Sequence, residues 1–155
     1  MKATARNQHS HFPVENLWDD NTNTFYHSDD SPGQSTLQPW VQLELATEST
    51  VAKVEITNRR DCCGDRLKNI EVWVGNHAVT KQSQEGISQQ LSASTLCGKF
   101  DGQTTYHPGH VEVIECTQPI PGRYITMLRN EPENGQDNIV MNIAEFKAFT
   151  TVIRK

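Results

Sequence analysis

The run Asn58-Arg59-Arg60-Asp61-Cys62-Cys63-Gly64-Asp65-Arg66 concentrates more chemistry than any other stretch of the chain. Neighbouring Cα atoms stand about 3.8 Å apart, closer than the roughly 4.4–6.8 Å usual for disulfide partners. A bond between Cys62 and Cys63 therefore closes a tight ring and presents a flat apolar sulfur surface on a loop. Arg59 and Arg66 flank that surface, and each offers a planar, permanently charged fork of N–H donors. Asp61 stands between them as an orienter. An apolar plate beside fixed donors suits a polyhydroxylated ring with one apolar face, which is the chemistry of a sugar. Taken alone, an Arg-Arg-Asp run is ordinary solvated surface; the cysteine pair sets this one apart.

Composition narrows the classes of partner. The formal charge of −5 argues against nucleic acid, which demands a basic patch. No apolar run approaches a membrane span, so insertion into a bilayer is not expected. The start, Met1-Lys2-Ala3-Thr4, lacks the apolar core of a signal peptide and reads as the start of a mature or excised domain. Four cysteines, Cys62, Cys63, Cys97 and Cys116, contain no C-x-x-C knuckle, which disfavours zinc. Two disulfides, Cys62–Cys63 and Cys97–Cys116, would place the protein in an oxidising, extracellular or secreted setting. Four reduced thiols in a cytosolic protein remain the alternative. G-x-S-x-G and H-E-x-x-H are absent, and no carboxylate pair is spaced for glycoside hydrolysis. The chain does not read as an enzyme.

Many short strands must carry these loops. Period-two alternation places Val41, Leu43 and Leu45 on one face of 40–45, with Trp40, Gln42 and Glu44 on the other. Alternation recurs at 51–57, 70–74 and 111–113, and further strands are expected at 123–128 and 139–149. Turn residues punctuate all of them, which predicts an all-β antiparallel sandwich in one domain over 1–155. Residues 15–39 form a long polar stretch of the kind that carries function, and 80–95 reads as a surface excursion. His9-x-His11 and His107-Pro-Gly-His110 have no carboxylate or cysteine at ligand spacing and read as surface histidines.

These residues resemble a known family. Asp19-Asp20-Asn21-Thr22-Asn23-Thr24-Phe25-Tyr26-His27-Ser28 and Pro39-Trp40-Val41-Gln42-Leu43-Glu44-Leu45 resemble the opening of a discoidin-type, coagulation-factor C-type domain. Arg59-x-Asp61-Cys62-Cys63-x-x-Arg66 narrows the resemblance to the F-type lectins, the fucolectins. Pro121-Gly122-Arg123-Tyr124-Ile125 and Ala144-Glu145-Phe146 resemble that family's closing strands. The resemblance implies a discoidin-like jelly-roll β-sandwich with binding loops at one end, and reversible binding of terminal L-fucose on glycans or glycoproteins. It assigns sugar contacts to His27, Arg59 and Arg66, with the Cys62–Cys63 disulfide packed on the ring and Asp61 orienting the arginines. The family's usual histidine position falls at Pro32, so His27 implies an insertion within 28–38. Phe25 and Tyr26 are candidates for the wall around the fucose methyl group.

The resemblance also implies a structural calcium ion. Asn16, Asp19, Asn21 and Thr24 would share it with Glu145 and the carbonyl of Ala144, bracing the loop that carries His27. Hard oxygen ligands on a loop closed by a distant carboxylate suit Ca²⁺; a self-capping Asx turn is the plainer reading. Many family members hold a disulfide at the positions of Phe25 and Ala144, which here would pack instead. Galactose, or a lipid or protein surface, is the alternative ligand, and oligomeric state is left open.

Overall fold

The computed structural model describes residues 1–102, 109–131 and 138–151. Its strands are β1 (Lys2–Ala5), β2 (Tyr26–His27), β3 (Trp40–Thr57), β4 (Ile70–Gly75), β5 (Thr95–Phe100), β6 (Val111–Arg129), β7 (Asn142–Ile143) and β8 (Glu145–Thr151). A single helical turn, α1 (Ile87–Gln90), and 3₁₀ turns at Val14–Trp18 and Gly64–Arg66 complete it. All ladders are antiparallel, in the order β1-β3-β6-β4-β5, with β8 added to β3 and a separate β2–β7 pair. The architecture is an all-β jelly-roll sandwich.

Two long strands replace four expected short ones. The alternating segments 40–45 and 51–57 are one strand, β3, and 111–113 and 123–128 belong to β6. The β3–β6 register shifts between Glu44 and Ser49 and again between Val51 and Lys53. Such bulges bend a ladder, so one strand can serve two layers. Residues 41–44 pair with β1, while 50–51 and 53–57 pair with β8. Conversely, the single strand expected at 139–149 breaks at Ala144, whose N–H goes to the Thr57 carbonyl at 2.8 Å.

Alternation then sorts the side chains. Val41, Leu43, Val54, Ile56, Val72, Ile114, Ile125, Met127 and Phe146 fill the space between the layers with Tyr26, Leu17 and Ile143. Trp40 and Gln42, on the opposite face of β3, are also buried, because the 76–91 excursion folds back over them. Val79, Ile87 and Leu91 pack there against Trp40 and Leu128. Gln42 Oε1 accepts the Val79 N–H at 2.7 Å, which satisfies the amide under that cover. Gly122 is required by close approach, since a Cβ there would lie 2.8 Å from the Gly75 carbonyl oxygen.

Both disulfides are formed. Cys97–Cys116 ties β5 to β6 across a sequence separation of 19. Gly98-Lys99-Phe100 continues β5 beyond Cys97. Closing a loop of that length stabilises the fold by about 3 kcal/mol through the unfolded chain. Cys97→Ser with Cys116→Ser is therefore expected to lower unfolding free energy by about that amount, read by urea denaturation. An unchanged midpoint would contradict this role.

Candidate functional site

The loop between β3 and β4 carries the Arg59–Arg66 run, and backbone bonds fix its base. Asn58 N–H reaches the His110 carbonyl at 2.8 Å, and Gly109 N–H reaches the Arg59 carbonyl at 3.2 Å. The wholly buried Asn58 donates its side-chain amide to the Gly64 carbonyl at 3.0 Å. Cys63 adopts φ +64°, a left-handed conformation uncommon outside glycine, and starts the 3₁₀ turn that presents Arg66. Cys62 and Cys63 are bonded and both half-buried.

Segment 23–27 lies beside that loop. Arg59 grips Asp61 with two parallel bonds, Nε to Oδ1 at 2.6 Å and Nη2 to Oδ2 at 3.0 Å. Its guanidinium sits 4.0 Å above the centre of the Phe25 ring, and Phe25 stacks on Phe12 at 4.5 Å. The Arg59 hydrogen bond holds the Asp61 carboxyl below its ordinary range, although burial opposes this shift. Because Asp61 is largely exposed, the fork fixes direction more than it stabilises the fold.

His27 closes the other side. Its Nδ1 lies 2.5 Å from the Ser28 carbonyl oxygen, an acceptor, so the ring proton resides on Nδ1. Nε2 then carries the lone pair and accepts from Arg66 Nη1 at 3.2 Å. Burial holds the His27 pKa below its ordinary 6.5, and the nearby charge of Arg66 pushes the same way, whereas the Ser28 bond and Asp30 oppose. Neutral His27 is thus an acceptor at the site, with the donors on the arginines.

Other residues were missed or misjudged in the sequence. His9 is not an idle surface histidine: its ring lies 5.1 Å from Phe12 and 5.6 Å from His27, and its backbone N–H donates to the His27 carbonyl at 2.9 Å. His11 is exposed, His110 pairs with Glu112 at 3.3 Å, and His107 lies outside the described residues. Arg60 is exposed and donates to Asn23 Oδ1 at 2.8 Å. Tyr26 points to the core and donates to the Asn7 carbonyl at 2.7 Å, so it is not a wall of the site. Asn142 stands opposite His27 in the β2–β7 ladder, wholly buried, with neither side-chain polar atom hydrogen-bonded. Nothing in its sequence neighbourhood marks it.

The oxygen-rich loop comes together as well. Asn21 N–H bridges Asp19 Oδ1 at 3.0 Å and Glu145 Oε1 at 3.1 Å, across 124 residues of sequence. Thr24 hydroxyl lies against Asp19 Oδ2 and 3.0 Å from the Asn21 carbonyl oxygen. Asn16 donates its amide N–H to the Phe25 carbonyl at 3.0 Å, which leaves Oδ1 as an acceptor. Asn21 Oδ1 accepts the Asn23 N–H at 3.0 Å, so the Asx-turn reading is realised too. Glu145 Oε2 is buried with no donor. A carboxylate oxygen without a donor, beside a second carboxylate and neutral oxygens, fits a hard divalent cation. Among the described residues, no three His, Cys, Asp or Glu side chains cluster as a metal site, so such an ion would rely on amide, hydroxyl and carbonyl oxygens.

The comparisons with known proteins follow this geometry. The family model described as a NedA-like, galactose-binding domain matches residues 16–127. The chain belongs to the F5/F8 type C family of galactose-binding-like domains. Within it, the relatives are F-type lectins: Fucolectin-4 of Anguilla japonica is 31% identical over 128 residues, covering 82% of this chain and 65% of its own length. Fucolectin of Anguilla anguilla is 28% identical over 127 residues, covering 81% of this chain and 73% of its own. A solved serum fucolectin of Morone saxatilis, striped bass, superposes with TM-score 0.72 at 26% identity, over 96% of this chain and 46% of that one. The family 32 module of C. perfringens NanJ, solved with galactose, shares the fold at TM-score 0.70 and 18% identity, over 95% of this chain and 91% of that one. This chain therefore spans about two-thirds to three-quarters of the two eel lectins and under half of the bass one. The family is one of binding domains rather than enzymes.

Glu145 gives the loop a pH signature. Burial, followed by the neighbouring Asp19 carboxyl, pushes its pKa from the ordinary 4.5 up to about 7. A carboxyl raised on folding favours the fold fully below pH 4.5, and that contribution is lost as pH rises through about 7. In chelator, the melting midpoint of the unmodified protein relative to that of Glu145→Gln is expected to fall across that window. The comparison cancels the opposite contribution of His27, whose lowered pKa favours the fold as pH rises toward 6.5. A difference that stays flat or grows between pH 5 and 7 would contradict the assignment.

Proposed function

We propose that this domain binds carbohydrate reversibly and that its ligand is a terminal L-fucose. The observation that carries the reading is the meeting of Arg66 Nη1 with His27 Nε2 at 3.2 Å, beside an Arg59 guanidinium held by Asp61 and Phe25. Together they set two guanidinium donors and one imidazole acceptor at one loop end. A sugar hydroxyl that takes the place of the Arg66–His27 bond can donate to Nε2 and accept from Nη1 at once. The linked sulfurs of Cys62 and Cys63 offer the apolar plate for the ring, and the half-buried Phe12 offers an apolar surface beside it, with Phe25 buried behind Arg59 as its support. Such surfaces suit the methyl group of fucose better than the hydroxymethyl of galactose, whose polar oxygen would need a partner there. Galactose remains the second reading, favoured by the description of the matching family model. The fucolectin relatives support the first.

We further propose Ca²⁺ at Asn16, Asp19, Asn21, Thr24 and Glu145 with the Ala144 carbonyl. The ion would supply the positive charge that lets Glu145 and Asp19 ionise side by side. Asn16 would transmit its order to the site, because the same side chain holds the carbonyl of Phe25. Two disulfides support secretion. No helix among the described residues is long and apolar enough to cross a membrane.

Arg66→Ala removes a charge-assisted donor worth about 1.5–3 kcal/mol. The expected result is a loss of L-fucose affinity of at least about tenfold by calorimetry, with the melting midpoint nearly unchanged. Binding that survives undiminished would sink the site assignment. Equal affinity for D-galactose and L-fucose in the unmodified protein would remove the preference for the methyl.

A further inference from the structure

Three arginines of the 59–66 loop meet three alternate residues of the segment entering β2. Arg60 Nη1 donates to Asn23 Oδ1 at 2.8 Å, Arg59 stacks on Phe25 at 4.0 Å, and Arg66 Nη1 donates to His27 Nε2 at 3.2 Å. Phe25 and His27 lie two residues apart on the chain entering β2, and Asn23 sits just before them in the turn closed by the Thr24 N–H on the Asn21 carbonyl at 3.3 Å, so Arg60 meets this segment on the far side of Arg59 from Arg66 in chain order. Their charges are not balanced alike. Arg59 is neutralised by its fork with Asp61, whereas Arg60 and Arg66 have neutral partners, an amide and an imidazole. Asp65, the other acid of the loop, is exposed and makes no described contact with any of the three. In a chain of net charge −5, the 58–66 loop sets three arginines against Asp61 and Asp65, with Asp30 facing His27 nearby.

We propose that Arg60, with Asn23, forms a subsite for an oxyanion, a sulfate ester or a carboxylate, on the sugar next to the fucose. The inference rests on the carbohydrate reading above and extends it. Arg60 is exposed, and its Cβ lies within ordinary contact distance of where a Cβ on Gly109 would stand. Only one guanidinium nitrogen is committed to Asn23, so the remaining donors of the fork are free to take two oxygens of an oxyanion. Asn23, whose Oδ1 is taken by Arg60, adds its amide N–H₂ as a neutral donor beside that guanidinium. An exposed charge of this kind acts at the rim: it speeds encounter and selects among ligands, and salt weakens it.

The test compares three ligands by biolayer interferometry: a neutral fucosyl-galactoside, the same disaccharide sulfated on galactose, and a sialylated counterpart. The protein is expected to bind at least one anionic form about five- to tenfold tighter at low salt, with the margin shrinking as salt rises. Which anionic form gains identifies the oxyanion. Arg60→Gln should erase that margin while leaving neutral-ligand affinity within about twofold, and a thermal melt confirms the variant is folded. Equal binding of neutral and anionic ligands by the unmodified protein, or a margin that persists in Arg60→Gln, overturns the subsite alone. Failure to bind any fucoside overturns the carbohydrate reading and the subsite with it.

Discussion

The hydrogen bond from Arg66 Nη1 to His27 Nε2 joins segments 39 residues apart, and the site exists where they meet. That bond requires His27 to be neutral with its proton on Nδ1, and the Ser28 carbonyl enforces this tautomer. Burial keeps the ring from charging, which would set two cations against each other. The arrangement of His27 in turn depends on the β2–β7 pair and on the turn at 9–12, whose backbone brackets the same residue. Arg66 depends on the left-handed Cys63 that starts its 3₁₀ turn. A short polar contact thus collects the constraints of four separate segments.

The oxygen-rich loop belongs to the same construction. Asp19, Asn21 and Glu145 converge because β8 returns beside β3, which places Glu145 opposite Thr57. Two facing carboxyls are electrostatically unfavourable unless one stays protonated or a cation sits between them. The loop lies one residue from Phe25 on its way to β2, and Asn16 holds the Phe25 carbonyl. The chemistry at Glu145 and the stacking under Arg59 therefore share one stretch of backbone.

Legibility in the sequence followed the range of each interaction. Alternation in 40–45, 51–57 and 70–74 revealed strands and inward faces, because a two-residue period is a local property. It did not reveal that 40–57 is one bent strand, since the bulges at Glu44/Ser49 and Val51/Lys53 arise from pairing with β6. The tight Cys62–Cys63 bond was readable because it links neighbours. The convergence of Asp19 with Glu145 followed only from resemblance to a family, for 126 positions of chain separate them. His9 reads as surface in the sequence and Asn142 goes unmarked, because a histidine in a polar stretch and an asparagine in an apolar one carry no periodic signal that would place them beside His27. The tautomer of His27 depends on the Ser28 carbonyl, which no side-chain pattern encodes.

The most direct measurement is chemical-shift mapping of the ¹⁵N-labelled protein during titration with methyl α-L-fucoside, with the histidine and arginine side chains observed. The account predicts a neutral His27 protonated at Nδ1 in the free protein. On titration, shifts should concentrate at His27 Nε2, the Arg59 and Arg66 guanidinium groups, Cys62, Cys63 and Phe25. Saturable shifts that instead fall among Thr4, Gln42, Val79 and Lys81, with those six residues unmoved, would contradict it.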